Sequence, residues 1–264
     1  MDFAKCSALI SGGGGGLGGA TARRLAALGM GVVLFDPDGD KAAAVAGEIG
    51  ARAIAVHGDQ NNDEDVAAAS VEAGRLGVFS IAVNAAGVQI PAPHTATAEG
   101  VPHDMETFRH MIDTHLTGPF NVSRLSAAAF AGNEPDVDGQ RGVIVNTAST
   151  AAYDGQIKQV AYSAGKAGIA GMTLSMARDL SAIGVRVCAI APGPILTPRL
   201  ARASDKLKEE LLANVAFPKR FGHAEEYASL VEAILRTPFL NGQVIRLDGA
   251  MSTPLTAMSA QPRS

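Results

Sequence analysis

Short apolar runs alternate along the chain with longer segments in which apolar residues recur every three or four positions. The runs are almost uninterrupted Val, Ile, Leu and Ala, without the polar alternation of a strand that has one solvated face. Strands of this kind are covered on both faces, as in a parallel sheet with helices on either side. The predicted strands are Cys6–Ile10, Val32–Phe35, Ala53–His57, Ile81–Asn84, Val143–Thr147, Val185–Ala191 and Val244–Leu247.

The segments between the runs have the spacing that crossover helices require. Together with the strands they predict an α/β protein. The expected architecture is a single-domain, doubly wound Rossmann fold over residues 1–264, with a seven-stranded parallel sheet flanked by helices. The predicted helices are Ala20–Leu28, Asp63–Gly74, Met105–Phe130, Ala161–Ile183 and Ala224–Leu235.

Three stretches do not follow the regular alternation of strands and helices. Val88–Pro102 has three prolines and Gly132–Gly142 is polar and rich in turn residues, so both are predicted loops. Pro192–Phe217 begins with two prolines around a glycine and continues as a charged, weakly helical segment. Because long insertions beside an active site often close over a ligand, residues 194–217 are a candidate substrate lid.

Composition and charge limit the partners that the chain can have. The 22 Lys plus Arg and 26 Asp plus Glu give a net charge of −4, without the basic excess that nucleic-acid binding needs. No apolar run reaches eighteen residues, so a membrane partner is not expected either. Acidic Asp2 and the missing basic, apolar leader favour the cytoplasm. Cys6 and Cys188 lie in apolar runs and are interpreted as buried thiols, so no disulfide or metal site is expected.

A glycine-rich turn follows the first predicted strand directly and opens a helix. It reads Ser-Gly-Gly-Gly-Gly-Gly-Leu-Gly over residues 11–18. Gly12 would allow the tight turn, Gly16 the approach of a pyrophosphate, and Gly18 close packing of helix on strand. A flexible linker is the alternative, but the flanking strand and helix favour a dinucleotide site, where the helix N-terminus attracts the phosphates.

The cofactor is expected to be NAD, on the charge at the end of the second strand. Asp36 can accept hydrogen bonds from the adenosine ribose and would repel a 2′-phosphate, and no Arg or Lys stands at positions 35, 37 or 38. A solvated turn carboxylate is the alternative interpretation of Asp36. Asp59 and Asn84-Ala-Ala-Gly87 close the third and fourth strands, where they would line the adenine and ribose.

Tyr162 and Lys166 lie four residues apart at the start of a predicted helix, so they share one face. A nearby cation lowers the pKa of a phenol and makes it a usable acid or base. Ser149, at the end of the fifth strand, would hold the substrate oxygen near that phenol. Alone, a Tyr–Lys pair on a helix is more often a surface contact.

The motifs follow one another along the chain as the glycine turn, Asp36, Asn84–Gly87, Ser149, Tyr162-Ser-Ala-Gly-Lys166 and Pro192-Gly-Pro-Ile-Leu-Thr197. In this order and spacing they resemble the short-chain dehydrogenase/reductase family from end to end. The resemblance implies that Ser149, Tyr162 and Lys166 are the catalytic set, with Lys166 also bonding the nicotinamide ribose. The implied cofactor contacts further include Gly15, Leu17, Asp59, Gln60, Ala85, Ala86, Gly87, Pro192, Gly193, Ile195 and Thr197, the last two at the carboxamide.

A narrower resemblance, to the type-2 3-hydroxyacyl-CoA dehydrogenases of that family, is carried by residues 133–142, 154–162, 217–222 and 238–249. This branch, which includes the 17β-hydroxysteroid dehydrogenases of type 10, also oxidises hydroxysteroids. The resemblance implies NAD, a homotetramer, a role in fatty acid metabolism, and Gln156 as a substrate contact beside Ser149 and Tyr162.

Three residues depart from the family pattern. His115 stands where the family has an Asn that shapes the fourth helix and holds a water that relays protons to the lysine. Imidazole can donate and accept a hydrogen bond, so His115 is counted with the catalytic residues, although it is bulkier and can carry charge. Gly15 replaces a small polar residue, and Gln60 replaces an apolar residue against adenine.

The expected function is therefore the NAD-dependent interconversion of a secondary alcohol and a ketone, with 3-hydroxyacyl-CoA and 3-oxoacyl-CoA as the substrate pair. A dehydrogenase of hydroxysteroids or other bulky secondary alcohols is the alternative within the enzyme class. The alternative from another class is a catalytically weak dinucleotide-binding sensor or scaffold, which the presence of His115 supports.

Overall fold

The computed structural model describes residues 2–87 and 93–252. Within these residues, seven strands pair in parallel in the order β3-β2-β1-β4-β5-β6-β9, and two short strands, β7 and β8, pair separately. The strands are β1 Cys6–Ser11, β2 Gly31–Asp36, β3 Ala53–His57, β4 Val78–Asn84, β5 Gly142–Thr147, β6 Val185–Pro192, β7 Ile195–Leu196, β8 Gly222–His223 and β9 Val244–Leu247. The helices are α1 Gly16–Ala27, α2 Gly39–Ile49, α3 Asp63–Leu76, α4 Met105–Ile112, α5 Gly118–Phe130, α6 Val160–Asp179, α7 Pro198–Ala201, α8 Asp205–Ala213 and α9 Ala224–Arg236.

Two hydrophobic clusters, one on each face of the sheet, explain why the strands are apolar at consecutive positions. Neighbouring residues of a strand point to opposite faces, so Ile10 packs in one cluster with Leu25 of α1, and Leu9 packs in the other with Val66 of α3. The predicted doubly wound α/β sheet is confirmed.

The order of the strands reverses at β1, which lies between β2 and β4. Chain crossovers leave β1 in opposite directions at this point, and a crevice forms beyond the carboxyl ends of the strands. The glycine turn that follows β1 and residues 85–87 that follow β4 both lie at this edge. The topology therefore brings together segments that are more than sixty residues apart in the chain.

The observed helices differ from the predicted ones at two places. Helix α2 was not predicted, because its buried residues are only Ala42 and Val45 and its spacing of large apolar side chains is weak. The predicted helix Met105–Phe130 is present as α4 and α5. A π-helical turn, Asp113–Thr117, lies between them and was not predicted.

The predicted excursions contain little regular structure, with one exception. Gly132–Gly142 forms turns up to the start of β5. The predicted loop Val88–Pro102 lies partly outside the described residues, and residues 93–102 form only an isolated bridge from Ala96 to Pro102. The candidate lid is more ordered than the loops, since it contains β7, α7 and α8.

Candidate active site

The glycine turn is shaped by close backbone contacts. Gly12 has φ +74, and a Cβ there would lie 2.5 Å from the Cα of Ala86. A Cβ on Gly18 would lie 2.1 Å from the carbonyl oxygen of Gly12. Both positions therefore need glycine, and the turn packs tightly on the segment that follows β4.

The start of α1 suits phosphate groups. Gly15 is the N-cap residue and offers no side chain to the free N–H groups of the first turn. That turn lies wholly within the described residues and carries no acidic side chain to repel an anion. Gly16 faces Thr197, because a Cβ on Gly16 would lie 2.9 Å from the Thr197 side chain. The glycine turn and Thr197, which is predicted to contact the nicotinamide carboxamide, thus border one crevice.

The Asp36 carboxylate is fixed at the end of β2 by two backbone N–H groups. Gly14 donates to Oδ2 at 3.0 Å and Asp38 donates to Oδ1 at 2.9 Å. The cation nearest in sequence, Lys41, is 2.5 Å from the Asp38 carboxylate and forms an ion pair with it. The Asp38 carboxylate holds the pKa of Lys41 above its usual value, with a smaller contribution from Asp36. The end of β2 therefore carries two neighbouring carboxylates and a lysine that is paired with one of them.

The segment after β4 contributes its backbone to the crevice and one side chain to the core. Ala85 donates its N–H to the Ser11 carbonyl at 2.9 Å. The side chain of Asn84 is buried and donates to Asn146 at 2.8 Å and to Ser123 at 3.0 Å. Its amide nitrogen therefore ties β4 to β5 and α5.

Asp59 and Gln60 follow β3 and differ in where their side chains bond. Asp59 accepts from the backbone N–H of Asn61 at 2.9 Å and is exposed. Gln60 is buried, and both polar atoms of its side chain are bonded inside the protein. Its Oε1 accepts from Ser11 at 2.9 Å, and its Nε2 donates to the Thr114 carbonyl at 2.8 Å. The Gln60 side chain is thus part of the packing under the crevice.

Lys166 is an ammonium group held in the interior of the protein. Its Nζ donates to the carbonyl oxygen of Thr147, the last residue of β5, at 2.7 Å. Burial lowers the pKa of Lys166 from its usual 10.5 to about 8. The Thr147 hydroxyl in turn donates to the Asn84 carbonyl at 2.5 Å and shares a 2.7 Å hydrogen bond with Tyr227. The ends of β4 and β5, α6 and α9 are thereby joined around the ammonium.

The phenol of Tyr162 lies one helical turn before Lys166, whose Nζ is 5.9 Å from the centre of the ring. The pKa of the phenol is raised above its usual value, because the effect of burial outweighs a hydrogen bond with Ser149 and the positive charge of Arg199, which both lower it. The sequence predicts that Lys166 lowers the pKa of this phenol, and that effect stays a prediction. Arg199 was not predicted, because its only signal in the sequence is its place two residues after Thr197.

His115 is placed against Tyr162 by the π-helical turn. Its ring is buried and meets the Tyr162 ring edge to face, with centres 4.9 Å apart and planes at 90°. Gly165 and Gly87 give it room, because a Cβ on either would lie 3.0 Å from the histidine. The structure therefore brings His115, Tyr162, Lys166 and Ser149 to one place.

A cavity of about 650 Å³ opens beside this cluster. It is lined by Ser149 and Tyr162, by the Pro192–Thr197 segment, by the candidate lid and by the loop before α6. The lining residues are Ser149, Thr150, Ala151, Gln156, Ile157, Lys158, Gln159, Tyr162, Pro192, Gly193, Pro194, Ile195, Thr197, Arg199, Leu200, Ala203, Leu207, Leu211 and Met251. Gln156 is thus on the same cavity as Ser149 and Tyr162.

The described residues present neither a metal site nor a membrane-spanning helix. Over residues 2–87 and 93–252, no three His, Cys, Asp or Glu side chains are grouped so as to hold a metal ion. In the same part of the chain, every helix is too short or too polar to cross a bilayer.

Comparisons with known proteins agree with this geometry. The profile of the short chain dehydrogenase family matches residues 7–208. A 3-hydroxyacyl-CoA dehydrogenase type-2 of Drosophila melanogaster is 48% identical over 244 residues, 92% of this chain and 96% of the relative. The crystal structure of 3-hydroxyacyl-CoA dehydrogenase type-2 from Mycobacterium avium has a TM-score of 0.93 at 44% identity, covering 95% of this chain and 97% of that one. A 7α-hydroxysteroid dehydrogenase complexed with NADH and 7-oxo glycochenodeoxycholic acid has a TM-score of 0.82 at 28% identity, covering 95% of each chain.

The fold and the site together define an oxidoreductase that uses a nicotinamide dinucleotide and acts on CH–OH groups. The family profile covers well over half of the sequence. The chain belongs to the short-chain dehydrogenase family.

The burial of Lys166 predicts a dependence of stability on pH. The pKa is about 8 in the folded protein and near 10.5 in the unfolded chain, so the unfolded chain binds more protons between these values. Stability conferred by this site therefore rises with pH through that window, by about 3 kcal/mol in total. We expect urea unfolding to show the wild-type protein gaining this much relative to Lys166→Met. The exposed Lys5 provides the control, since Lys5→Met keeps Lys166 and should gain stability with pH as the wild type does. A wild-type and Lys166→Met difference that is constant with pH would contradict the buried charge.

Proposed function

We propose that the protein is an NAD-dependent dehydrogenase that interconverts 3-hydroxyacyl-CoA and 3-oxoacyl-CoA. The observation that carries the proposal is the grouping of Ser149, Tyr162 and Lys166 at the carboxyl edge of the sheet, with Ser149 and Tyr162 on the wall of a large cavity. Relatives and a solved structure that are named 3-hydroxyacyl-CoA dehydrogenase type-2 support the choice of substrate.

The residues present fit a dinucleotide. The open N-terminus of α1 would receive the pyrophosphate, and Asp36 the adenosine ribose. The other residues proposed to line the dinucleotide are Gly12, Gly15, Gly16, Leu17, Gly18, Asp59, Asn84, Ala85, Ala86, Gly87, Tyr162, Lys166, Pro192, Gly193, Ile195 and Thr197. When bound, the nicotinamide ring accepts a hydride from an alcohol or, reduced, donates one to a ketone.

The chain's own residues supply the proton chemistry. The substrate hydroxyl would lie between Ser149, which donates a hydrogen bond to its oxygen, and Tyr162, which takes its proton in the phenolate form. Lys166 holds a positive charge near the oxygen on which negative charge develops. In the reverse direction, Tyr162 returns the proton to the carbonyl oxygen.

NAD is proposed over NADP because the ribose end of the crevice is acidic. Asp36 is fixed there by Gly14 and Asp38, and the cation of Lys41 is already paired with Asp38. A 2′-phosphate would be placed next to unneutralised carboxylate. Discrimination between the cofactors should therefore come from repulsion rather than from shape.

We expect Tyr162→Phe to lose turnover on the order of a thousandfold, because the ring stays and only the group that exchanges the proton is removed. The measurement is oxidation of NADH by acetoacetyl-CoA, followed by absorbance, with NADPH run separately. Binding of NADH, followed by fluorescence titration, should be nearly unchanged and serves as the control. Turnover in Tyr162→Phe that equals the wild-type rate would remove Tyr162 from the mechanism.

Two exposed cations on the cavity wall support an anionic, CoA-linked substrate. Lys158 precedes α6 and Arg199 lies in α7, and both line the cavity. The lid adds three leucines to the same wall, Leu200, Leu207 and Leu211. An acyl chain would contact the leucines, and the phosphates of CoA would lie toward the cations.

We expect Lys158→Glu to raise the KM for acetoacetyl-CoA roughly fivefold, because one surface charge contact contributes about 1 kcal/mol. The effect should weaken as salt is added. A neutral secondary alcohol, assayed in the oxidation direction with NAD, should keep its KM. Lys206→Glu is the control, because Lys206 is an exposed lysine of the lid that does not line the cavity. Equal KM changes for the charged and neutral substrates would contradict a CoA-binding role.

A hydroxysteroid is the second candidate substrate, because the apolar lid surface would also accept a rigid ring system. The likeness to a 7α-hydroxysteroid dehydrogenase favours it. A hydroxysteroid with a kcat/KM above that of every acyl-CoA tested would identify the protein as a hydroxysteroid dehydrogenase. A wild-type protein that binds NADH but reduces neither class would instead select the sensor or scaffold.

A homotetramer in the cytoplasm is proposed with this function. Apolar side chains exposed on neighbouring helices support subunit contacts: Met105 of α4, Phe120 of α5 and Leu174 of α6. Acyl-CoA turnover would give the protein a role in fatty acid metabolism.

A further inference from the structure

The π-helical turn Asp113–Thr117 disturbs the hydrogen bonding of the helix. At its end Gly118 donates its N–H to the carbonyl of Asp113, five residues back. The next carbonyl, that of Thr114, would take the N–H of residue 119 at the same spacing. That residue is Pro119, which has no N–H to donate. The helix cannot supply this hydrogen bond from its own backbone.

The side chain of Gln60 supplies the missing donor from outside the helix. Its Nε2 donates to the Thr114 carbonyl at 2.8 Å. Its Oε1 accepts from the Ser11 hydroxyl at 2.9 Å, which fixes the amide from the other side. A Cβ on Gly118 would lie 2.5 Å from the amide carbon of Gln60, so the glycine leaves the space that the amide fills.

The carbonyl that Gln60 binds is one residue before His115. The ring of His115 lies edge to face against Tyr162 with centres 4.9 Å apart, so the position of the turn sets the position of the imidazole. A turn without a donor for the Thr114 carbonyl would be free to rewind, because an unmade hydrogen bond in a packed helix is costly. Rewinding would rotate His115 away from the tyrosine.

We infer that Gln60 is a positioning residue, which replaces the N–H that Pro119 lacks and so keeps His115 in place against Tyr162. The inference rests on the proposed function, because its main readout is turnover. It also gives Gln60 a different task from the adenine contact expected from sequence. An adenine contact would act on cofactor affinity, whereas a positioning residue acts on the rate at saturating cofactor.

The test is a double-mutant cycle of Gln60→Leu and Pro119→Ala. Pro119→Ala restores a backbone N–H at residue 119 and keeps the carbonyl that accepts from Ser123 at 2.7 Å. We expect Gln60→Leu alone to lower kcat for acetoacetyl-CoA reduction about tenfold, with the KM for NADH changed by less than about twofold. In the Pro119→Ala background the same substitution should lower kcat by less than about threefold.

Ser11→Ala is the matched control, because it removes the other hydrogen bond of Gln60 and leaves the one to Thr114. Its effects should be the same with proline or alanine at residue 119. An equal loss of kcat for Gln60→Leu in both backgrounds would overturn the inference. So would a higher KM for NADH with unchanged kcat, which would assign Gln60 to adenine binding.

Two further measurements keep the outcome decisive. If Gln60→Leu does not fold, Gln60→Met replaces it in the cycle, because it keeps the length of the side chain. The midpoint of thermal unfolding is recorded for all four proteins of the cycle. The substitution at Gln60 should lower this midpoint less in the Pro119→Ala background than in the wild-type background. Inactivity of the wild type toward acyl-CoA would defeat the proposed function, whereas additive midpoints would defeat the Gln60 bridge.

Discussion

A buried ammonium on a strand-end carbonyl is the interaction on which the site depends. Lys166 reaches from α6 to the carbonyl of Thr147, the last residue of β5. An ionised group is costly to bury, and here burial brings its pKa down to about 8. The sheet fixes the carbonyl, the helix fixes the lysine, and the bond between them sets where Tyr162, one turn earlier, presents its phenol.

The elements around this bond each constrain one neighbour of the phenol. Ser149 follows β5 and lowers the pKa of the phenol, while the π-helical turn places the ring of His115 against the Tyr162 ring. That turn in turn depends on Gln60, which comes from the end of β3. Strand ends from both sides of the topological switch point therefore converge on the tyrosine, as open α/β sheets allow.

The sequence allowed the sheet to be predicted because buried parallel strands are apolar on both faces, as Leu9 and Ile10 show. The catalytic cluster could be proposed because Tyr162 and Lys166 are four residues apart on one helix. The π-helical turn could not be predicted, because it depends on Pro119 and on the side-chain amide of Gln60, which lies 54 residues before Thr114. The inward side chain of Gln60 depends on packing in the same way.

The most direct test of the central claim compares the pH at which Tyr162 ionises in the wild-type protein and in Lys166→Met, both saturated with NAD. Phenolate absorbance is recorded as a difference from Tyr162→Phe, so that Tyr153 and Tyr227 cancel. The ammonium stabilises a neighbouring phenolate, so we expect the phenol to ionise at a higher pH in Lys166→Met than in the wild type. The same ionisation pH in both proteins would contradict the role given to Lys166.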